Sequence, residues 1–383
     1  MPDALFCACN YWGSPGHVGS HHLARCLLER GWRVAFVSDP VSPLHLLGGL
    51  SAQLRERLKL HRSGGRWVEE RLWTWVPGAL CTPNERPLLR SWPVQRHWSA
   101  MAWPDPARVL ARAGFEAFDL VYVDSIAQGY WWRGLRHGKS VFRLADNPAG
   151  FSSHTPAAQR ALESVARFVD ALVYSAPHLA ETAASLGAKQ SALLLNGVDN
   201  ALFSQPAPRP AEYEDDPRPV VLYAGVLKEW FHFQWLRQAA AALPRHRFVV
   251  VGPEGGARHR LDGLSNVRLL GPRPHASLPA YMQHAAVGVI PFDVATFPDL
   301  VHGINPLKLY EYMASGLPVV ATRWRTLEEL GSPAVLVDSA REFIEAIANA
   351  AAPPVAQCQR FAADYDWQPR LEELLKLLNL GAS

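Results

Sequence analysis

A lysine and a glutamate three residues apart, Lys308 and Glu311, have the chemistry to hold a diphosphate and a diol. They belong to residues 303–322, GINPLKLYEYMASGLPVVAT, where we expect Asn305 to cap a helix and Pro306 to take its first position. Lys308 then lies in the first turn, where the helix dipole disfavours a cation unless an anion intervenes. Glu311 shares its face and can accept hydrogen bonds from two vicinal hydroxyls. The pattern predicts a nucleotide diphosphate site, although an ordinary surface ion pair would have the same spacing.

Two series of short apolar strands, separated by helical patterns, must position these residues. This alternation favours parallel sheets with helices on both faces, in an α/β protein. We expect strands in the first series at 4–9, 32–38, 119–123, 139–144, 170–174 and 190–195. The second series is expected at 219–224, 247–252, 266–270, 286–291, 317–321 and 334–337.

The 383 residues are enough for two domains, each with its own core. We expect a first domain at 1–204 and a linker at 205–219, which is rich in proline and acid and has no apolar period. The second domain is expected at 220–353, followed by helices at 354–383. Ligands of open parallel sheets bind beyond the carboxyl ends of the strands, so two facing sheets would create a cleft.

Several segments resemble the GT-B glycosyltransferases, notably family 4 and the group typified by the xanthan glucuronosyltransferase. Residues 303–322 look like their donor-site signature, and 222–236, LYAGVLKEWFHFQWL, like the strand, glycine turn and helix that open the donor domain. Residues 195–203, LNGVDNALF, resemble the turn that closes the acceptor domain. The resemblance implies a GT-B fold of two Rossmann-like domains facing across a cleft, with the C-terminal helix crossing back to the first domain.

By the same resemblance, the chain would be a hexosyltransferase type of enzyme that uses a nucleotide-diphosphate sugar and needs no other cofactor and no metal. The acceptor would be a glycan or lipid-linked saccharide, in cell-surface polysaccharide or glycolipid biosynthesis. Backbone at Gly271, Pro272 and Arg273 would bind the nucleobase. The donor diphosphate and sugar would be bound at Gly225, Lys228, Asn305, Leu307, Lys308 and Glu311.

Two departures from the family bear on stereochemistry and on diphosphate binding. Retaining members of family 4 carry two glutamates separated by seven residues, and the first would fall at Gly303, which has no side chain. The outcome stays open, with a lean to inversion. The basic pair that usually follows the first glycine turn of the donor domain is reduced to Lys228, so Lys228 and Lys308 would share the diphosphate.

A glycine-rich stretch, residues 10–20, NYWGSPGHVGS, lies between the first predicted strand and a helix. It resembles the family's loop at the cleft floor, and its glycines let backbone approach a substrate, although a tight turn explains them equally. The spacing differs from that of a dinucleotide fingerprint. We expect no metal here, because His17, His21 and His22, read as exposed or cleft residues, have no paired carboxylate nearby. The expected cleft residues are Gly13, Gly16, His17 and Gly19.

An inverting transfer needs a base near the acceptor hydroxyl. Asp146 is the first candidate, because it follows the predicted strand 139–144 within RLADNPAG. This segment also resembles the one that bears the catalytic aspartate of the xanthan glucuronosyltransferase. Asp-Asn-Pro is equally suited to an Asx turn or a helix cap. Asp124, which follows the strand 119–123, is the second candidate.

The composition of residues 51–112 limits the classes of binding partner that we expect. Residues 51–112 hold eleven Arg or Lys against five Asp or Glu, together with six tryptophans, namely Trp67, Trp73, Trp75, Trp92, Trp98 and Trp103. This composition fits docking on anionic lipid headgroups or stacking on acceptor sugars, and equally a packed core with a charged face. A net charge of +3 without an arginine-rich helix disfavours nucleic acid.

The chain has no apolar run of ~18–20 residues, and its first residues lack the basic region and the apolar region of a signal peptide, so we expect a cytoplasmic protein. The basic, tryptophan-rich composition of residues 51–112 leaves open a peripheral position at the inner face of the cell membrane. Two alternatives remain beside the transferase. Another GT-B enzyme, such as a nucleotide-sugar epimerase or a glycan phosphorylase, would use the same cleft. A catalytically silent GT-B partner subunit would also fit.

Overall fold

The computed structural model describes residues 1–255, 258–350 and 355–381. The chain divides into two compact α/β units. The first unit consists of Met1–Leu194 and the stretch from Arg370 onward, and the second consists of Leu195–Pro369. Both boundaries differ from the expected ones, at 204 and 353. Within the described residues, no helix has the length and hydropathy that crossing a membrane requires.

The sheet of the first unit has eight strands in the order β3-β4-β2-β1-β5-β6-β7-β8, parallel except for the antiparallel pair β3 and β4. Its central strands are buried along almost their whole length, as expected for a parallel sheet covered on both faces. The strands are β1 Asp3–Ala8, β2 Arg33–Ser38, β3 Arg66–Glu69, β4 Leu72–Trp75, β5 Phe118–Val123, β6 His137–Leu144, β7 Ala171–Tyr174 and β8 Ser191–Leu193. All six strands predicted for this half are present, and the pair β3 and β4 was missed.

Several helices of the first unit begin with a side-chain cap. Thr155 accepts a hydrogen bond from the backbone N–H of Ala158 at the start of α5, and Asp105 accepts one from Arg108 at the start of α4. The helices are α1 Gly19–Glu29, α2 Ala52–Arg62, α3 Trp92–His97, α4 Pro106–Arg112, α5 Pro156–Phe168 and α6 Ala180–Ser185.

The sheet of the second unit has six parallel strands in the order β11-β10-β9-β12-β13-β14. They agree with the six predicted strands to within two residues at each end. The strands are β9 Val220–Ala224, β10 Arg247–Val251, β11 Val267–Gly271, β12 Val287–Ile290, β13 Val319–Thr322 and β14 Val335–Val337. The helices are α7 Asn200–Ser204, α8 Phe233–Ala242, α9 Leu278–Gln283, α10 Pro298–Val301, α11 Leu307–Ala314, α12 Arg325–Leu330, α13 Ala340–Ala348 and α14 Val355–Ala363.

The last helix, α15 Trp367–Leu377, joins the first unit from Arg370 onward. Leu371 and Leu374, at the helical spacing noted in the sequence, are almost fully buried. Arg30, the residue that follows α1, donates to Glu372 at 2.7 Å. The chain therefore returns to its first unit, as the resemblance implies.

The expected linker, 205–219, packs on the second unit. Tyr213 is 1% exposed, and the backbone carbonyl oxygens of Glu212 and Tyr213 accept hydrogen bonds from Arg247. Gln283 donates to the backbone oxygens of residues 203 and 205. Polar composition concealed this packing, because the partners are arginine and glutamine side chains from distant parts of the sequence.

Candidate functional site

Lys308 occupies the first turn of α11, at the carboxyl edge of the second sheet. Its ammonium nitrogen lies 5.2 Å from the ring centroid of Tyr223 in β9 and 5.0 Å from that of Phe292, just after β12. Two aromatic faces favour a cation at this distance. The half-buried lysine is therefore held next to the loops that follow β9 and β12.

Three glycines bring the backbone close together at the same edge. The N–H of Gly225 donates to Val251, and the N–H of Gly252 donates to Gly271. A Cβ atom at Gly252 would lie 2.1 Å from the carbonyl oxygen of Gly225, and one at Gly225 would lie 2.9 Å from Cε of Lys308. These positions have φ of +147° and +154°, which disfavours side chains further. The glycines thus leave room for Lys308 beside the backbone.

The start of α11 differs from the expected one. Pro306, with ψ of 118°, is the N-cap, and the helix begins at Leu307, which is half-buried. Asn305 does not cap the helix, because its Oδ1 accepts a hydrogen bond from Tyr310 Oη at 2.7 Å, while its backbone oxygen accepts from Asn196. The expected cap was therefore wrong by one residue, and Lys308 still lies in the first turn.

A tyrosine anchors α11 to the sheet. The hydroxyl of Tyr312 accepts a hydrogen bond from the backbone N–H of Ala224 at 2.7 Å, at the end of β9. Its Cδ2 would lie 2.7 Å from a Cβ atom at Gly288 in β12, so glycine is required there. These contacts fix the first turns of α11 relative to the glycine loops.

Glu311 is 8% exposed and lies against a histidine that sequence reasoning missed. Its Oε1 is 2.9 Å from Nε2 of His275, which is 7% exposed. His275 begins the short helical turn after β11, and the ring of Phe203 packs edge-on against it, with 5.3 Å between centroids. A histidine in a proline-rich loop carries little signal, since only the fold brings it to a residue 36 positions away.

The proposed nucleobase segment lies at the end of β11. Gly271 has φ of +70°, and Pro272 follows it. The guanidinium of Arg273 donates to the backbone oxygen of Leu270 at 2.6 Å and to Glu212 Oε1 at 2.9 Å. The side chain of Arg273 is thus occupied in stabilising the loop. The backbone of the segment is the part suited to binding a nucleobase.

Lys228 lies in the loop between β9 and α8, and its side chain is exposed. The turn is closed by the N–H of Phe231, which donates to the oxygen of Lys228. The ring of His232 stacks on that of Trp235, with 4.6 Å between the ring centroids. Burial lowers the pKa of His232. Lys228 and Lys308 thus belong to different environments, one in water and one against aromatic rings.

In the first unit, the glycine-rich stretch forms the turn between β1 and α1. A Cβ atom at Gly19 would lie 3.2 Å from the guanidinium of the buried Arg143, a tight contact that a side chain could form only if the arginine moved slightly. Gly16 has open space around its Cα, and its backbone oxygen accepts a hydrogen bond from Ser14 at 2.9 Å. Gly13 lies against the ring of Tyr11. Of these three glycines, Gly19 has the least space for a side chain.

Two of the three histidines considered in the sequence, His21 and His22, lie at the start of α1 and are buried. They are 1% and 8% exposed, so the solvent-exposed alternative was wrong for them. His17 stacks on His21, with 4.8 Å between ring centroids, and Nε2 of His21 lies 3.2 Å from the backbone oxygen of Tyr11. Both histidines lie on the apolar side of α1, which the sequence spacing alone does not reveal.

Three aspartates follow strands of the first sheet at its carboxyl edge. Asp146 is half-buried in the turn after β6. Asp124, after β5, accepts a hydrogen bond from the backbone N–H of Cys9 at 2.9 Å, and burial raises its pKa. Asp39, after β2, was missed: it accepts from Ser125 Oγ at 2.5 Å, and burial raises its pKa to about 6. No sequence pattern points to Asp39, which precedes a proline. Its contact with Ser125 arises because the order of strands in the sheet brings the ends of β2 and β5 close together.

The tryptophans of residues 51–112 divide between core and surface. Trp73, Trp75 and Trp98 are at most 2% exposed, so for these three the alternative of a packed core is confirmed. Trp103 is 83% exposed and Leu80 65%. These two belong to paired segments, because Ala79 and Ala102 form an antiparallel bridge. Leu80 and Trp103 are therefore two large apolar side chains exposed on neighbouring segments of the first unit.

Known proteins resemble both units. Residues 5–175 match the family model described as the N-terminal domain of the glucuronosyltransferase GumK, and residues 218–352 match glycosyl transferases group 1. TuaH of Bacillus subtilis (strain 168), named as a teichuronic acid biosynthesis glycosyltransferase, is 30% identical over 146 residues, which are 37% of this chain and 36% of that protein. The match thus spans about a third of this curated relative.

Solved structures resemble the chain over its whole length. Sucrose-phosphate synthase from Thermosynechococcus elongatus has a TM-score of 0.71 at 17% identity, over 99% of this chain and 98% of that one. Anabaena HepE, solved in complex with UDP-glucose, has a TM-score of 0.67 at 17% identity, over 100% of both chains. The fold is therefore GT-B. With the two family matches, the chain is identified as a GT-B glycosyltransferase.

Proposed function

We propose that the protein transfers a hexose-type sugar from a nucleoside diphosphate to a hydroxyl of a glycan or lipid-linked saccharide, in the assembly of a cell-surface polysaccharide or glycolipid. The observation that carries this proposal is the position of Lys308, in the first turn of α11 and against the glycine turn at Gly225. A cation and a helix start together suit an anion such as diphosphate. The family matches and the name of TuaH support the biosynthetic role.

Each part of the donor has a proposed partner in the second unit. Lys308 and the exposed Lys228 bind the diphosphate, and Glu311 binds donor hydroxyls. Backbone at Gly271–Arg273 binds the nucleobase. Since the lysines and the helix start can offset the charge that develops on the leaving diphosphate, transfer should need no metal.

We propose Asp146 as the base and inversion as the stereochemical outcome. The acceptor oxygen would form a bond to the anomeric carbon while the bond from that carbon to the diphosphate oxygen breaks. Asp146 would take the proton of the acceptor hydroxyl, and the diphosphate would leave with the bonding electron pair. Gly303 supports inversion, because it offers no carboxylate at the position where retaining relatives have one.

The exposed pair Leu80 and Trp103 supports peripheral association with a membrane that carries anionic lipid. Large apolar side chains at the surface favour the interface, and the basic excess of residues 51–112 favours anionic headgroups. A protein docked in this way would meet lipid-linked acceptors at the cytoplasmic face.

The proposal is tested by incubating the purified chain with a panel of nucleotide sugars and lipid-linked saccharides, with and without a chelator. We expect sugar transfer from donors of one nucleotide class, undisturbed by chelator, and a product with the opposite anomeric configuration by NMR. Glu311→Ala should lower transfer by about 10²-fold or more. Binding of nucleotide sugars without any transfer or hydrolysis would instead favour the silent partner subunit.

A further inference from the structure

Asp39, a half-buried carboxylate of the first unit, is held in place at one of its two oxygens. It follows β2, and its Oδ1 accepts hydrogen bonds from Ser125 Oγ at 2.5 Å and from Gln128 Nε2 at 3.3 Å. Both donors follow β5, 86 and 89 positions along the chain. Since both hydrogen bonds go to Oδ1, the second oxygen, Oδ2, keeps its capacity to accept hydrogen bonds from a ligand.

Gln128 can fix the direction of the carboxylate because both ends of its own amide are bound. The side chain is fully buried, and Nε2 also donates to the backbone oxygen of Ala8 at 2.8 Å. Its Oε1 accepts a hydrogen bond from Trp131 Nε1 at 3.2 Å. An indole N–H can only donate, so the amide oxygen must face Trp131 and the amide nitrogen must face Asp39. The orientation of the Gln128 amide is therefore determined.

The backbone at Asp39 is held as well. Arg57 of α2 donates to the backbone oxygen of Asp39 at 2.9 Å and to that of Pro40 at 3.1 Å. Main chain and carboxylate are thus both fixed before a ligand arrives. A preorganised hydrogen-bond acceptor of this kind loses little conformational entropy when it binds a ligand.

The position of Asp39 in the sheet indicates which ligand it would meet. The strands β2, β1 and β5 are neighbours, and Asp39 and Asp124 follow the first and the last of them. Ligands of open parallel sheets bind beyond the carboxyl ends of the strands. Asp146, which we propose as the base that acts on the acceptor, follows β6 at the same edge. Asp39 therefore lies at the edge of the sheet where we place the acceptor saccharide.

The charge of Asp39 does not stabilise the fold. Burial raises its pKa to about 6, and the charge of Asp124 acts in the same direction. Because the folded chain favours the protonated form, ionisation above about pH 6 destabilises it. A carboxylate with this property at the ligand-binding edge of a sheet is a candidate for function rather than for stability.

We propose that Asp39 determines acceptor specificity: its Oδ2 accepts a hydrogen bond from a hydroxyl of the acceptor saccharide, Ser125 acts as a positioning residue, and a neutral sugar is preferred over a uronic acid. This inference rests on the proposed glycosyl transfer. It names the class of acceptor sugar that the first unit selects.

The preference for a neutral sugar follows from the charges at this edge. Asp39, Asp124 and Asp146 are three carboxylates that follow strands of one sheet. Of the cations near them, Arg57 binds two backbone oxygens and Arg143 is 2% exposed. A carboxylate on the acceptor would meet like charges, which disfavour it, whereas a hydroxyl can donate a hydrogen bond to them.

The test measures kcat and KM for transfer by the full chain to acceptor pairs that differ only at C6 of the sugar. The pairs are octyl glucoside with octyl glucuronide and octyl galactoside with octyl galacturonide, each with a saturating nucleotide sugar that the chain uses. The variants are Asp39→Ala, Asp39→Asn, Ser125→Ala and Ser125→Thr, the last of which keeps the hydroxyl. Melting curves establish that each variant is folded.

Ser140 and Asp170 provide a matched control at the opposite edge of the same sheet. Ser140 of β6 is buried, as Ser125 is, and its hydroxyl donates to Oδ2 of the half-buried Asp170 at 2.9 Å. Asp170 directly precedes β7, so it lies at the amino edge. Ser140→Ala and Asp170→Asn therefore remove the same kind of contact away from the expected acceptor, and the acceptor KM should stay within about twofold of wild type.

We expect the wild type to prefer the neutral member of each pair by about tenfold or more in kcat/KM. Asp39→Ala should lower kcat/KM for the neutral acceptors by about tenfold or more, mainly through KM, with the donor KM unchanged, since a hydrogen bond to a charged group is lost. Asp39→Asn keeps an acceptor oxygen but removes the charge, so the preference itself should fall severalfold. Ser125→Ala should raise the acceptor KM about threefold or more, and Ser125→Thr should behave as the wild type.

The inference is overturned if folded Asp39→Ala uses the neutral acceptors as the wild type does, or if the wild type uses the uronic acids equally well. In either case transfer is still observed, so the proposed function stands. If Asp39→Ala does not fold, Asp39→Asn and Ser125→Ala decide the outcome. Transfer to none of the four acceptors also overturns the inference, and absence of nucleoside diphosphate binding by calorimetry would then overturn the proposed function as well.

Discussion

A Cβ atom at Gly225 would lie 2.9 Å from Cε of Lys308 and 3.2 Å from its ammonium nitrogen, so these two residues define how closely α11 approaches β9. We predict that Gly225→Ala displaces the lysine and weakens nucleoside diphosphate binding by about tenfold or more, which corresponds to about 1.4 kcal/mol. Gly263→Ala is the control, because Gly263 also has positive φ but open space around its Cα. Equal affinity of Gly225→Ala and the wild type would show that the lysine is not constrained there.

Variants of the two candidate bases, Asp146 and Asp124, should differ in kcat. Asp146→Asn is expected to lower kcat by about 10²-fold or more and to leave the Kd for the donor nucleotide unchanged, because a base acts on the acceptor hydroxyl. Asp124→Asn is the comparison, since Asp124 is half-buried and accepts a hydrogen bond from the N–H of Cys9. If Asp124→Asn abolishes transfer in a folded protein while Asp146→Asn retains it, the assignment of the base is reversed.

Asp39 should make stability depend on pH. Burial raises its pKa to about 6 from the usual 3.8, although the hydrogen bond from Ser125 opposes this. The folded chain therefore binds the proton more tightly, and this contribution to stability is lost as the pH rises from about 4 through 6. Asp39→Asn removes the titrating group and with it this loss. The free energy of unfolding of the variant, relative to that of the wild type, should therefore be about 1–2 kcal/mol higher at pH 7.5 than at pH 4.5. Urea unfolding at both pH values measures this gain, and a constant difference would contradict it.

Membrane docking should depend on the exposed pair. We expect the wild type to sediment with vesicles that contain phosphatidylglycerol and to stay in solution with phosphatidylcholine alone, since anionic lipid attracts the basic segment. Replacing both Leu80 and Trp103 by serine should reduce the bound fraction severalfold. Val335→Ser, which alters an exposed valine of the second unit, should not. If the double variant binds the vesicles as the wild type does, Leu80 and Trp103 do not dock the protein on the membrane.

The sequence predicted the strands of both sheets because parallel strands buried on two faces are short apolar runs. It missed β3 and β4, which are only four residues long, and it left open whether Trp73 and Trp75 of β4 belong to a surface or to the core, where they pack. It placed Lys308 correctly in a first turn but gave the cap to Asn305, whose side chain instead pairs with Tyr310. Capping preferences do not predict such a hydrogen bond between the residue before a helix and a side chain in its next turn.

The missed site residues share a physical reason. His275 reaches Glu311, and Asp39 reaches Ser125, only through the order of strands in each sheet. Such contacts join residues that are 36 and 86 positions apart, and local patterns carry no information on them. In contrast, Gly225 could be predicted, because a glycine turn between a strand and a helix is a local feature.

The central claim is that Lys308 binds the diphosphate of a nucleotide donor, and calorimetric titration of Lys308→Met tests it most directly. Methionine keeps most of the apolar stem between Tyr223 and Phe292 and removes the charge. The account predicts that the wild type binds one class of nucleoside diphosphate, and that the variant binds it about tenfold or more weakly while its affinity for the unphosphorylated nucleoside is unchanged. Equal affinity of wild type and variant for the diphosphate would contradict the claim.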